Sequence, residues 1–333
     1  MFPKIQKIAV IGDGGWGTTL AVHLAKKKYE VRLWGAFPEY IQEVRRIRFN
    51  AKFLPGIKIP ESVVLVEQMS AALEQAHLLV LVVPSQYIGS VLQQLKSFDL
   101  SKKIILSVVK GIHPKTLCRI SESIREELGS VKLAVLSGPT IAREVAQEIP
   151  STAVIACKDS EVARKLQNVF TSETFRIYTN SDVVGVELGG SLKNVIAIAS
   201  GVCDGLGFGT NAKAAIVSRG LSEISRLGVA LGASSKTFAG LTGLGDLVTT
   251  CFSPESRNRV VGEQLGGGKK MAEIISAMHM VAEGVETARA AYRLSRKHKV
   301  PMPIVEEVYK ILYQNKNPKT AVGDLMKRKV ASE

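Results

Sequence analysis

The chain has 333 residues, 46% of them hydrophobic, enough apolar material for two ordinary domains with real cores. Its four dispersed cysteines and five histidines form no CxxC, HxxxH or HxH pattern, which argues against a disulfide framework or a metal site and fits a reducing cytoplasm. The formal net charge of +14 comes without zinc-finger spacing or an RNP-like aromatic motif, so it reads as a solvated basic surface rather than a nucleic-acid footprint.

Strand-like sequence begins by Lys4, which is read as leaving no room for a signal peptide. Lys7-Ile8-Ala9-Val10-Ile11 predicts a buried strand and Thr18 to Ala25 a helix. Between them Gly12-Asp13-Gly14-Gly15-Trp16-Gly17 spells G-x-G-x-x-G. After a strand and opening a helix, that spacing marks a dinucleotide site. Gly12 permits the sharp turn, Gly14 lets the backbone approach a pyrophosphate, and Gly17 lets helix and strand pack closely. The helix N-terminus offers its N–H groups to the phosphates. Trp16, set between loop glycines, is expected to cover the cofactor. The second strand, Glu30 to Trp34, ends at Gly35-Ala36. An NAD-specific site usually carries Asp or Glu there, on the adenosine ribose. This chain has neither, nor an Arg immediately after the strand, so the expected cofactor is NADP(H) and/or NAD(H), leaning to NADP or dual use.

Glu39 to Phe49 reads as a charged helix and Val63 to Val66 as a short strand. Leu78 to Val83 and Ile104 to Val109 are continuous apolar runs, as expected of central parallel strands covered on both faces. The first is the longest in the chain and far short of the ~20 residues that a membrane span needs. Lys110-Gly111 lies at the carboxyl end of the second run, where ligands of open α/β sheets sit, which raises Lys110 above an ordinary surface lysine. His113, before Pro114, reads as a turn residue. Ala134 to Ser137 leads into Gly138-Pro139-Thr140-Ile141-Ala142, a second turn aimed at the same crevice. Ala153 to Ala156 and Thr174 to Tyr178 are the last strands. From Asp182 strand signals nearly vanish, so the boundary is expected near 180–186, with domains at 1–182 and 183–333.

The second half is helical and locally glycine-rich. Glu187 to Gly201 predicts a helix with an apolar stripe through Leu188, Leu192, Val195, Ile196 and Ala199. Gly190, Lys193, Ala197 and Gly201 share another face, placing one lysine on a track of small residues where a ligand or another backbone could come close. Asp204 to Asn211 reads as a loop, Ala212 to Leu227 as a helix, and Phe238 to Leu247 as a tight glycine run whose sole charge is Asp246. Ser253 is expected to N-cap a helix with Pro254 in its first turn, carrying Ser256, Arg257 and Asn258 on a terminus suited to phosphate. Val281 to Thr287 opens another helix, and Pro301 to Val305 introduces an apolar helix through Leu312.

Taken in order, these motifs resemble bacterial NAD(P)-dependent glycerol-3-phosphate dehydrogenase over essentially the whole chain: the Trp16 glycine loop, Val109-Lys110-Gly111, Gly138-Pro139-Thr140, the Glu187–Gly201 helix, Gly209-Thr210-Asn211, Leu241 to Asp246, Ser256 to Arg259 and Val281 to Gly284. The resemblance implies an N-terminal α/β Rossmann-like domain with a mostly parallel sheet and an all-α C-terminal domain of the 6-phosphogluconate dehydrogenase-like kind. It also implies a cytoplasmic enzyme, a homodimer, that reduces dihydroxyacetone phosphate to sn-glycerol 3-phosphate for phospholipid synthesis, with no nucleic-acid partner. Residue by residue, it implies cofactor contacts from Gly12, Gly14, Gly15, Trp16, Gly17, Lys110, Ala142, Arg257, Val281 and Glu283. It places Lys110, Gly138, Thr140, Lys193, Asp246, Ser256, Arg257 and Asn258 around the substrate, with Lys193 as the catalytic proton donor and acceptor. Thr140 stands where many members have Ser, and Gly35 or Ala36 where many have a basic residue. Other dehydrogenases, for a 3-hydroxy acid or 6-phosphogluconate, share the layout and a helix-borne lysine. A dinucleotide-sensing nucleic-acid binder is the alternative of another class, supported by net charge alone.

Overall fold

A computed structural model of the chain describes residues 4–278 and 282–329. It divides into two compact units, Met1–Lys110 with Cys118–Glu187, and Gly111–Leu117 with Leu188–Glu333.

The first unit is built on one eight-stranded sheet. Its strands are β1 (Lys7–Ile11), β2 (Glu30–Trp34), β3 (Val63–Val66), β4 (Leu78–Leu81), β5 (Ile104–Ser107), β6 (Lys132–Ser137), β7 (Ser151–Ala156) and β8 (Phe175–Asn180). They run in the order β3-β2-β1-β4-β5-β6-β7-β8. Every neighbouring pair is parallel except β6 with β7. The apolar runs are continuous because both faces are covered. Ile8, Val10, Leu33, Val80 and Leu106 pack on one side. Ala9, Ile11, Leu79, Leu81 and Ile105 pack on the other. The strand order reverses between β1 and β4, and ligands of such sheets sit at that switch point, beyond the carboxyl ends.

The second unit is helical. Its longest described helices are Val183–Gly205, whose first residues belong to the first unit, and Thr210–Ala230. The Val183–Gly205 helix is packed against Arg257–Gly266 along a seam of glycines. A Cβ at Gly201 would lie 1.9 Å from the Arg259 carbonyl oxygen, and one at Gly205 2.1 Å from that of Glu263. In return, a Cβ at Gly262 would lie 2.0 Å from the Ile198 oxygen. At Gly201, therefore, the track of small residues admits another backbone rather than a ligand.

The first compact unit runs through Glu187, and Gly111–Leu117 goes with the second; two expectations elsewhere in the chain are corrected. The Glu187 carboxylate accepts from the Ser121 N–H at 2.7 Å, the Ser121 hydroxyl at 2.6 Å and Arg119 at 2.9 Å, all in the first unit. Ser191 Oγ donates to the Gly111 oxygen at 3.1 Å, within the second. Next, Val183–Gly205 is long and apolar enough to cross a membrane, with a mean hydropathy of 1.3 over its apolar window, but 94% of that window is buried inside the protein. A scan for uninterrupted apolar runs overlooks it because Glu187, Ser191, Lys193 and Asn194 break the pattern. Finally, the Phe238–Leu247 glycine run is helical: Ser235–Phe238 is followed by a π-helical turn over Leu241–Gly245, which passes into Asp246–Phe252. A Cβ at Gly243 would lie 2.0 Å from the Phe238 oxygen, so packing, not propensity, decides that conformation.

Candidate active site

The glycine loop has the geometry that phosphate binding demands. Gly12 sits at φ +123°, a conformation that L side chains rarely adopt, and a Cβ there would lie 2.6 Å from the Val82 oxygen. A Cβ at Gly17 would lie 1.9 Å from the Gly12 oxygen, so only glycine lets the helix start this close to the turn. At Gly14, by contrast, nothing lies within 4 Å of the Cβ position. Gly14 is also the N-cap of helix Gly15–Lys26, with no side chain capping it. A close turn, an open glycine and a helix terminus without a side-chain cap fit a pyrophosphate. Trp16 is half-buried. Its ring packs on the core, edge-to-face with Phe175 at 6.3 Å.

Asp13, the first variable residue of the motif, is half-buried. Burial pushes its carboxyl above the usual carboxylate range, opposed by a backbone hydrogen bond and by Lys52. Its backbone oxygen accepts from Asn50 Nδ2 at 2.6 Å and Thr18 Oγ1 at 3.1 Å.

At the carboxyl end of β5, Lys110 Nζ donates to the Gly138 oxygen at 3.1 Å, and Thr140 Oγ1 donates to the same oxygen at 3.2 Å. Gly138 holds φ +142° with its Cβ position 3.0 Å from Ala153 Cα. Ala142 opens the short helix Ala142–Ala146, and its oxygen accepts from Thr19 Oγ1 at 2.9 Å. The first unit thus brings Lys110, Gly138 and Thr140 together, and ties Ala142 to the helix that follows the glycine loop.

In the second unit Lys193 is 5% exposed and Asp246 1% exposed. Lys193 Nζ is bonded directly to Asp246 Oδ1 and lies 2.7 Å from Thr250 Oγ1. Thr250 donates its own hydroxyl hydrogen to the Asp246 backbone oxygen at 2.6 Å, so its lone pair faces the ammonium. A buried cation is tolerable only when paired and hydrogen-bonded, and both conditions are met. The π-helical turn brings Asp246 to the start of its helix, and one helical turn on lies Thr250. Thr250 was missed from the sequence; its i, i+4 spacing from Asp246 is the signal that could have found it. The adjacent Cys251 is buried, and desolvation pushes its thiol up to about 12, which makes it inert as a nucleophile.

The 256–258 group differs in detail from expectation. Ser256, not Ser253, caps the helix Arg257–Gly266, its hydroxyl accepting from the Arg259 N–H at 3.3 Å. Pro254 lies in the turn before that helix rather than inside it. Arg257 is exposed in the first turn. Asn258 is buried, and its amide bridges two helices: Nδ2 donates to Asn194 Oδ1 at 3.0 Å and Oδ1 accepts from the Gly284 N–H at 2.9 Å. Asn194, adjacent to Lys193, is a second residue that sequence reading overlooked. Glu283 is half-buried at the start of helix Glu283–Lys297. Val281 lies outside the described residues. Among the described residues, no three His, Cys, Asp or Glu side chains converge as a metal site.

The chain matches the family described as NAD-dependent glycerol-3-phosphate dehydrogenase, its N-terminal part over residues 7–163 and its C-terminal part over residues 182–323. It is 51% identical to a glycerol-3-phosphate dehydrogenase [NAD(P)+] of Citrifermentans bemidjiense over 331 residues, 98% of this chain and 99% of that one. The protein of the same name from Geobacillus kaustophilus is 47% identical, over 97% of this chain and 95% of its own. Among solved structures, the glycerol-3-phosphate dehydrogenase of Coxiella burnetii superposes with a TM-score of 0.95 at 38% identity, covering 98% of this chain and 100% of its own. D-mandelate dehydrogenase, at 14% identity and a TM-score of 0.64, shares the fold. With its glycine loop, its buried Lys193–Asp246 pair and both halves matched, the chain belongs to the NAD(P)-dependent glycerol-3-phosphate dehydrogenase family.

Proposed function

We propose that this enzyme reduces dihydroxyacetone phosphate to sn-glycerol 3-phosphate with NAD(P)H, supplying the backbone of glycerophospholipids. The observation that carries the reading is the buried Lys193–Asp246–Thr250 cluster. When bound in the Gly12–Gly17 loop, a nicotinamide dinucleotide would supply the hydride for the ketone carbon. Gly12, Gly14 and Gly17 shape the turn that receives the dinucleotide phosphates, with the first N–H groups of Gly15–Lys26 directed at them. As the ketone oxygen becomes an alkoxide, Lys193 Nζ stabilises its charge and gives it a proton. Asp246 and Thr250 hold Nζ in place, and the Asp246 carboxylate compensates the ammonium charge while it is present. In the oxidation direction Lys193 takes the proton back.

Arg257, with the first turn of Arg257–Gly266, is assigned to the phosphate, for which a guanidinium fork and a helix N-terminus are suited partners. Asn258 serves by fixing Lys193's helix to its neighbours through Asn194 and Gly284. In this reading residues 1–182 form the dinucleotide-binding domain and 183–333 the substrate domain, and the enzyme is a cytoplasmic homodimer. Sedimentation at micromolar concentration checks the dimer. The decisive test of the reaction is NADH and NADPH oxidation with dihydroxyacetone phosphate beside unphosphorylated dihydroxyacetone. Turnover is expected with the phosphate ester alone. Equal rates with both substrates, or oxidation with neither, overturn the assignment.

A further inference from the structure

We propose that Asp13 selects the dinucleotide: its carboxylate, entering from the loop after β1, stands in for the acid missing at the end of β2, accepts the adenosine ribose hydroxyls of NADH and disfavours the 2′-phosphate of NADPH. This rests on the functional reading above and names a determinant within it. Dinucleotide folds of this kind place an acid at the end of β2, where it meets the ribose. Here that end carries Gly35 and Ala36. The absence of an acid in this stretch, taken alone, points to NADP or dual use.

The tertiary structure reverses the argument. Gly12 N–H donates to the Trp34 oxygen at 2.9 Å, holding the ends of β1 and β2 side by side. A Cβ built on Gly35 would lie 2.5 Å from Asp13 Cγ and 2.6 Å from its Oδ2. The Asp13 carboxylate, with Ile41 Cδ1 at 2.6 Å, therefore fills the volume that a side chain at position 35 would occupy. The acid comes from the loop after β1 and lies beside the end of β2.

Asp13 is also held and incompletely satisfied. Its backbone oxygen is fixed by Asn50 and Thr18, and Asn50 is itself bonded to the Tyr40 hydroxyl at 2.6 Å and to Thr18 Oγ1 at 2.8 Å. Its Oδ2 is buried without a hydrogen-bond partner in the protein, although the residue as a whole keeps partial exposure. A buried carboxylate oxygen with unused acceptor capacity is costly, and a donor such as a ribose hydroxyl relieves that cost. A 2′-phosphate instead brings a second anion to it. Lys52 is a cation whose field reaches Asp13, and its ammonium lies 5.9 Å from the Tyr40 ring and 5.1 Å from the Phe53 ring. It is the group that would favour NADPH if the phosphate prevailed.

The experiment measures dissociation constants of NADH and NADPH by fluorescence titration, without substrate, for the wild type, Asp13→Ser, Asp13→Asn and the double variant Asp13→Gly/Gly35→Asp. The wild type is expected to bind NADH about tenfold or more tighter than NADPH, the scale of one charge-assisted hydrogen bond. Asp13→Ser narrows the ratio to within about threefold, mainly by tightening NADPH. Asp13→Asn, which keeps the volume and removes the charge, does the same should the serine variant fail to fold. The double variant returns the acid to β2 and regains the NADH preference. Equal binding of the two dinucleotides by the wild type, or an unmoved ratio in folded Asp13→Ser or Asp13→Asn, overturns the inference and leaves the functional reading standing. Binding of neither dinucleotide overturns both.

Discussion

Replacing Gly201 by alanine sets two effects against each other, and the structure decides between them. In an isolated helix the change stabilises by about 1 kcal/mol, because alanine loses less backbone entropy. Here the new methyl would lie 1.9 Å from the Arg259 oxygen and 2.8 Å from both the Arg259 carbonyl carbon and the Glu263 nitrogen. All are backbone atoms of the facing helix, so no side-chain rotation relieves the overlap. Restoring an ordinary carbon–oxygen contact, about 3.5 Å, means opening the seam by more than about 1 Å, which forfeits dispersion along its length. Neighbouring contacts open with it, including the close approach of Gly262, whose Cβ position lies 2.0 Å from the Ile198 oxygen. Overpacking of this kind costs about 1–3 kcal/mol, and with backbone on both sides the upper end applies. The expected result is a net loss of about 2 kcal/mol, read as a Tm lower by about 4–8 °C. Gly323→Ala is the matched control. It lies in helix Pro318–Met326 with nothing within 4 Å of its Cβ position, and is expected to gain about 1 kcal/mol. Urea unfolding and calorimetry on the three proteins give the comparison. A Gly201→Ala protein as stable as the wild type, or one that shifts with the sign of the control, refutes the seam. Activity should fall too, since Lys193 rides on one of the two helices and Asn258 on the other.

Lys193→Met is expected to lower kcat by at least about a thousandfold while the dinucleotide dissociation constant stays within about twofold; near-normal turnover removes Lys193 from the mechanism. Arg257→Ala should raise KM for dihydroxyacetone phosphate by about tenfold or more with an unchanged Tm, because Arg257 is exposed; an unmoved KM places the phosphate elsewhere. Glu223 gives a pH prediction. Its buried carboxylate accepts from the Ile304 N–H at 2.8 Å and the Val305 N–H at 3.2 Å, and desolvation pushes its pKa up to about 7. A folded pKa above the unfolded value means the native state holds the proton more tightly, so this residue's contribution is full below about pH 4.5 and is lost as pH rises to about 7. The stability difference between wild type and Glu223→Gln should therefore shift against the wild type by up to roughly 3 kcal/mol between pH 4.5 and 7.5. Parallel pH profiles in urea unfolding contradict it.

Much of the first unit was legible because its signals are local. The β1 run, the Gly12–Gly17 loop and the following helix lie within one stretch of chain, and Gly12 and Gly17 answer to constraints set by each other and by Val82, just past β4. The continuous apolar strands announced a sheet covered on both sides. Lys193 stood out for the small residues around it, though at Gly201 that face packs against a backbone. What was not legible depends on groups distant in sequence. Thr250 lies more than fifty residues from Lys193, and Asn194 meets Asn258 across a similar span; the pairing of Asp246 with Lys193 is expected only through the family resemblance. The helix cap at Ser256 rather than Ser253 was an error of local register, since both serines satisfy the same capping rule.

By itself the sequence determined the dinucleotide loop, the alternation of strands and helices, and the residue types from which a proton-transfer and phosphate site can be made. These follow from short-range periodicity and from backbone conformations that few residues can adopt. Only the tertiary structure decided which of those residues meet. It sealed Lys193 against Asp246, turned a track of glycines into a helix–helix seam, and set the Asp13 carboxylate in the space above Gly35. The physical reason is common to all three: the energy of a buried charge or a close contact depends on what lies across the gap, and the chain brings that partner from another element.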